Sequence, residues 1–245
     1  MKLIIDIGNT RTKAGLFQKN ELEHSFIFET MDELFSADLF SSYPITNCIV
    51  ASVVDPIEPL IHRLLEKTKV LVFTGTTPTP LKVLYKSVHT LGSDRLASAV
   101  GGNFLFPQKN VLVIDAGTCL KYNFTNNVNE YLGGAISPGL QMRFKALHTF
   151  TSRLPLLKVN KDFNSLIGTN TNESILSGVE MGALAEMHGI IEQYKLLYPD
   201  INIVLTGGDA DFFEKRLKKP IFADSFLILK GLNVILDYNL KASGI

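Results

Sequence analysis

Apolar positions open the chain as short runs rather than as helical stripes. Residues 3–7 are apolar apart from Asp6, Gly8-Asn9-Thr10 signals a turn, and residues 12–17 read as a returning strand. Lys19-Asn20 predicts a second turn before residues 21–28, where apolar and polar positions partly alternate. The expectation is a β-meander whose first strand carries Asp6 at its end. Asp55-Pro56 then predicts a helix entry, because Ile57, Leu60, Ile61, Leu64 and Leu65 follow at helical spacing. Residues 70–73 form a short apolar run, 74–80 are rich in Thr and Pro and predict a loop, and 94–105 predict a helix despite Gly101-Gly102, closed by Pro107.

A second round starts at Val111. Residues 111–114 predict an apolar strand, Asp115-Ala116-Gly117-Thr118 follows, and residues 120–124 return. Asn126-Asn127 signals a turn, 131–136 a further strand, and Pro138 opens a helix near 139–150. A long helical stretch is expected at about 171–198, a strand at 203–205 ending in Thr206-Gly207-Gly208, and helices at 210–218 and near 229–240.

The two openings match. Leu3-Ile-Ile-Asp6-Ile-Gly8-Asn9-Thr10 and Leu112-Val-Ile-Asp115-Ala-Gly117-Thr118 are each an apolar strand, then Asp, one residue, Gly and a nearby Thr. A repeat at this scale predicts two similar α/β halves. A carboxylate at a strand end can hold a hydrated metal beside nucleotide phosphates. Glycine lets the backbone approach a phosphate oxygen, where N–H groups and a Thr hydroxyl bind it. A single Asp-x-Gly is equally an ordinary tight turn, and the pairing of two is what favours the phosphate reading. Thr206-Gly207-Gly208 reads either as a close approach to the adenosine side of a nucleotide or as a plain strand-to-helix turn.

Composition narrows the classes. The chain has 245 residues, 46% hydrophobic and 20% charged, the profile of a folded globular protein. Its 24 basic and 24 acidic residues balance, so a nucleic-acid partner is not expected. Cys48 and Cys119 supply neither a zinc cluster nor a disulfide framework, which predicts a reducing cytoplasm. Asp6 interrupts the first apolar run too early for a signal-peptide core. No apolar stretch approaches the ~20 residues of a membrane span, so no membrane partner is expected. Gly-x4-Gly-Lys-Ser/Thr, Gly-x-Gly-x-x-Gly after a strand, Gly-x-Ser-x-Gly and His-Glu-x-x-His do not occur.

Four motifs in order, Asp6-Ile-Gly-Asn-Thr10, Gly92-Ser-Asp-Arg95, Asp115-Ala-Gly-Thr118 and Gly133-Gly-Ala-Ile-Ser-Pro-Gly139, resemble those of type III pantothenate kinases. These belong to the acetate-kinase, sugar-kinase, heat-shock-ATPase and actin superfamily. Leu154-Pro155, Asn170-Thr171 and Thr206-Gly-Gly208 extend the match over almost the whole chain. The resemblance implies a duplicated actin-like (ribonuclease H-like) fold with domains at 1–108 and 109–245 and an interdomain active-site cleft. It implies ATP-dependent phosphorylation of pantothenate to 4′-phosphopantothenate, the first step of coenzyme A biosynthesis, by a cytoplasmic homodimer using Mg²⁺ and a monovalent cation, K⁺ or NH₄⁺.

It also implies roles. Asp6, Ile7, Gly8, Asn9, Thr10, Arg11, Thr12 and Lys13 bind ATP, with Asp6 meeting Mg²⁺ through the phosphates. Thr118, Gly207 and Gly208 are further ATP contacts, and Asp115 is the monovalent-cation ligand. Asp94 is the general base, while Tyr85, Gly92, Ser93, Asp94, Arg95 and Thr171 hold pantothenate. Residue types alone leave alternatives. Asp94 suits a helix start. Thr171 follows Asn170, which with Glu173 makes a capping-box-like pair. Arg95 suits a structural ion pair, Tyr85 a half-buried core position and Lys13 a solvated strand position. The chain departs from the family pattern at Val88, Cys119, Leu120, Lys121 and Asn123, and Lys121 places an extra cation beside the second phosphate loop. Another small-molecule kinase, or a non-catalytic regulatory protein on the same fold, would keep the phosphate loops.

Overall fold

The computed structural model describes residues 1–54, 56–217 and 221–242. Asp55 of the predicted helix entry and Lys218 of the predicted helix 210–218 lie outside the described residues. In chain order the elements are β1 (Lys2–Ile7), β2 (Thr12–Gln18), β3 (Glu21–Phe28), α1 (Met31–Ser36), α2 (Leu39–Ser42), β4 (Asn47–Ser52), α3 (Glu58–Leu65), β5 (Lys69–Phe73), β6 (Lys82–Val83) and α4 (Ser93–Leu105). There follow β7 (Val111–Ala116), β8 (Cys119–Thr125), β9 (Glu130–Pro138), α5 (Leu140–Thr149), α6 (Thr171–Leu176), α7 (Gly182–Leu197), β10 (Asn202–Thr206), α8 (Ala210–Leu217), β11 (Phe222–Ala223) and α9 (Leu227–Ala242).

Two compact units form. The first holds Met1–Gln108, Thr125–Gly133 and the chain from Phe226, and the second holds Lys109–Phe124 and Gly134–Ser225. In the first unit the sheet order is β3-β2-β1-β4-β5. The three opening strands run antiparallel, and β1, β4 and β5 run parallel. The described strands around β7 read β9-β8-β7-β10-β11, the same order shifted by one repeat, with β6 added beside β9. The predicted meander and the predicted duplication are both present, and Asp6 and Asp115 sit on the corresponding central strands.

Burial explains the strand pattern. Every residue of β1 is buried, because helices cover both faces of the sheet. Ile4, Phe17 and Ile49 pack with Leu96, Val100, Leu229 and Leu232 on one face. Leu3, Ile5 and Val50 pack with Leu34, Leu39, Leu60 and Leu64 on the other. In the second unit Leu112, Ile114 and Leu205 form a core with Phe144, Met187, Ile191 and Phe213.

Sequence patterning did not predict α1, α2, β4, β6 or β11. Gly101, the weak point of the predicted helix at 94–105, has a packing reason. A Cβ there would lie 2.5 Å from Leu227 O, and one at Gly231 would lie 1.9 Å from Ala97 O, so α4 and α9 cross backbone to backbone. The long helix expected at 171–198 is α6 and α7 joined by a π-helical turn, Ser177–Met181.

Candidate active site

In the first unit, β1 delivers Asp6 to its C-terminal end, where the residue is only 9% exposed. Gly8 closes the following turn by donating its N–H to Arg11 O at 3.1 Å. A Cβ on Gly8 would press on the same oxygen at 3.1 Å. Ile7 and Thr12 are buried, Lys13 is half-buried, and Asn9, Thr10 and Arg11 stand exposed. Lys13 is the cross-strand register partner of Asp6, so its side chain rises from the same face of the sheet. Arg11 pairs with Glu29 at 3.0 Å, with both side chains more than half exposed.

The N-terminus of α4 carries the second group. Gly92 caps the helix without a side-chain bond, and Ser93, Asp94 and Arg95 are all buried although polar. Ser93 Oγ donates to Ser52 O at 3.1 Å, and Asp94 Oδ1 accepts the Arg95 N–H at 2.8 Å. The helix-start role of Asp94 is therefore real, and it orients the carboxylate. The Arg95 guanidinium lies 5.6 Å from the centre of the Tyr85 ring. Tyr85 in turn lies against Gly133, whose φ of +107° and 3.1 Å clearance from the ring at Cβ suit glycine. Tyr85, Ser93, Asp94 and Arg95 thus belong to one unit.

In the second unit three motifs converge on one turn. Asp115 is the penultimate residue of β7, and Gly117-Thr118 leads into β8. Gly139, at the start of α5, donates its N–H to Thr118 O at 3.1 Å. A Cβ there would sit 2.2 Å from Gly117 O. From the other side Asp209 donates to Ala116 O at 2.8 Å, bringing the Thr206-Gly207-Gly208 turn onto the strand end. Gly207 is half-buried and Gly208 exposed. Asp115 pairs with Lys121 Nζ at 2.9 Å, the two side chains being 8% and 19% exposed. Thr171 is at the exposed first position of α6, where Asn170 accepts Glu173 N–H at 3.1 Å as the capping pair predicts.

Two residues of this region were missed. Arg143 donates to Pro138 O at 2.8 Å and Ser137 Oγ at 2.9 Å, and also pairs with Glu186, which accepts from Tyr122 OH at 3.4 Å. Burial and the Glu186 charge push the Tyr122 hydroxyl well above its ordinary range. The only sequence signal was a basic residue one helical turn after the Pro138-Gly139 break.

Among the described residues no group of three or more His, Cys, Asp and Glu is placed to hold a metal.

The activator of 2-hydroxyisocaproyl-CoA dehydratase from Clostridium difficile shares the fold, with a TM-score of 0.56 at 12% identity over 100% of this chain and 97% of that one. The duplicated actin-like α/β fold is thereby established. The type III pantothenate kinase family model matches residues 2–193. A type III pantothenate kinase of Bacteroides fragilis is 43% identical over 241 residues, 98% of each chain. One from Flavobacterium johnsoniae is 40% identical over 244 residues, covering 98% of this chain and 99% of that one. With the glycine-rich turns, the buried Ser93-Asp94-Arg95 helix start and full-length similarity in agreement, the chain belongs to the type III pantothenate kinase family.

Proposed function

We propose that the protein transfers the γ-phosphoryl group of ATP to the primary hydroxyl of pantothenate, giving 4′-phosphopantothenate and ADP at the entry to coenzyme A biosynthesis. The observation that carries this reading is the N-terminus of α4, where a serine, an aspartate and an arginine are buried side by side. Buried polar side chains at a helix start are a costly arrangement that a hydroxylated, carboxylated substrate would complete. The pantothenate hydroxyl oxygen bonds to the γ-phosphorus while the bond to the β,γ-bridging oxygen breaks, and Asp94 takes the hydroxyl proton. Arg95 pairs with the pantothenate carboxylate, Tyr85 supports the guanidinium from its ring face, Gly92 and Ser93 belong to the same helix start, and Thr171 is a further candidate contact for pantothenate.

In the first unit the backbone N–H groups of the 8–13 turn and Lys13 are the candidate contacts for ATP phosphates, and in the second unit Thr118, Gly207 and Gly208 are further candidate ATP contacts. Asp6 would hold a divalent cation, which when bound neutralises charge on the transferred group. Cys48 and Cys119 are both unpaired and no described helix is long and apolar enough to cross a membrane. Phe150, Leu166 and Ile167 on the second unit are 86%, 77% and 76% exposed, which supports a homodimer that covers apolar surface.

The test is incubation of the purified protein with Mg²⁺, ATP and pantothenate, followed by mass spectrometry of the product. Formation of 4′-phosphopantothenate is expected. Folded protein that binds ATP yet phosphorylates only a different alcohol would overturn the substrate, and no transfer to any acceptor would overturn the reaction.

A further inference from the structure

The family resemblance calls for an alkali-type cation at Asp115, and the residues present do not fit one. Oδ2 of Asp115 already bonds the Lys121 ammonium at 2.9 Å. Oδ1 lies against the backbone of Gly207, where a Cβ would come within 2.6 Å. A monovalent cation also needs several neutral oxygens, usually backbone carbonyls. Around this turn three such carbonyls each take one N–H donor and keep a second lone pair, so it is the Lys121 ammonium that stands in the cation's place. Ala116 O accepts from Asp209 at 2.8 Å, Thr118 O from Gly139 at 3.1 Å, and Cys119 O from Gly117 at 3.1 Å. A second cation on Asp115 would face the ammonium at close range, and like charges at a partly buried site repel with little screening.

We propose that Lys121 supplies the positive charge of this site covalently, so that phosphoryl transfer by this chain needs no K⁺ or NH₄⁺. The inference rests on the kinase reading above and deepens it. An ammonium carries the same single charge as K⁺ and donates to the same carboxylate oxygen. Strand β8 fixes it beside β7, and with 19% side-chain exposure it is held rather than solvated. A tethered cation is present at every ionic composition, whereas a diffusible one must be bound. Lys121 on this account is a positioning residue. It keeps Asp115 neutralised and the Gly117-Thr118 turn in shape for the nucleotide.

The experiment uses the full chain in buffers whose only monovalent cation is tetramethylammonium, too large to enter the site, compared with the same buffers containing K⁺ or NH₄⁺. Two quantities are read, the rate of pantothenate phosphorylation and the affinity for Mg-ATP by calorimetry. Wild type is expected to vary by no more than about twofold in either across the salts. Lys121→Met is expected to lose roughly tenfold or more in rate without K⁺ and to regain it with K⁺ or NH₄⁺. Lys121→Thr, whose β-branched side chain suits the strand, replaces it if the first variant does not fold. A wild-type rate that rises about tenfold or more with K⁺ overturns the proposal. So does a Lys121 variant that is as insensitive to K⁺ as wild type. If pantothenate is not phosphorylated at all, the kinase reading fails, and the calorimetric comparison still decides whether nucleotide binding is K⁺-independent through Lys121.

Discussion

Gly207 packs its backbone directly against the carboxylate of Asp115. At a φ of +100° it turns the chain where a Cβ would meet Ala116 O at 2.3 Å and Asp115 Oδ1 at 2.6 Å. Gly207→Ala should therefore cost about 1–3 kcal/mol of stability through strain and displacement. It should also weaken ATP binding, because the Asp115 turn must move. Urea unfolding and nucleotide titration on the same preparation check both effects, and Gly208→Ala, with nothing within 4 Å of its Cβ position, is the contrasting control for stability.

Asp94→Asn removes the proton acceptor while leaving a side-chain oxygen to accept the Arg95 N–H. Turnover is expected to fall by about 10²–10⁴-fold, with Mg-ATP affinity little changed. Steady-state rates and calorimetry separate the two, and near-wild-type turnover would remove Asp94 from the base role.

Gly231→Ala tests the crossing of α4 and α9. The added methyl would collide with Ala97 O at 1.9 Å, a backbone atom that cannot rotate aside. A loss of about 1–3 kcal/mol is expected despite the better helix propensity of alanine, measured as a lower urea midpoint.

Glu180 sets a pH dependence. It is fully buried in the π-helical turn, and one carboxylate oxygen accepts Asn160 N–H at 2.7 Å. Burial raises its pKa above the ordinary carboxylate value, against the opposing pull of the Asn160 bond and Arg216. The folded state thus keeps the proton at a pH where the unfolded chain has lost it. Its contribution to stability falls as pH rises from the ordinary carboxylate range through the raised folded value, then levels off. Glu180→Gln should remove this slope, so its stability relative to wild type should improve from acid toward neutral pH. Thermal melts across that range test the sign.

Local chemistry was legible where it was local. The two Asp-x-Gly turns, the caps at Gly139 and Asn170 and the helix start at Ser93 follow from residue types within a few positions. Strand β4 escaped because Cys48-Ile49-Val50-Ala51 is buried on both faces, and such a run lacks the alternation that marks a strand. The signal for α1 was present and overlooked, since Thr30 accepts Glu33 N–H while Glu33 accepts Glu29 N–H. The resemblance singled out Asp115, and Lys121 stood out as an extra cation. Their pairing depends on how β8 lies beside β7 after the Gly117-Thr118 turn, which residue types do not encode. The tie from Arg143 to Glu186 joins α5 to α7 across 43 positions and has no local signature.

The place of α9 has a consequence for synthesis. Leu229, Leu232, Ile235 and Leu236 share a core with Ile4, Phe17 and Ile49, so β1 and β2 leave the ribosome some two hundred residues ahead of the helix that covers them. The second unit lies wholly before Phe226 and can close while α9 is still in the exit tunnel. The order of birth is thus reversed in the order of completion. In the interval the nascent first half carries an uncovered apolar face, the kind of surface that holding chaperones recognise.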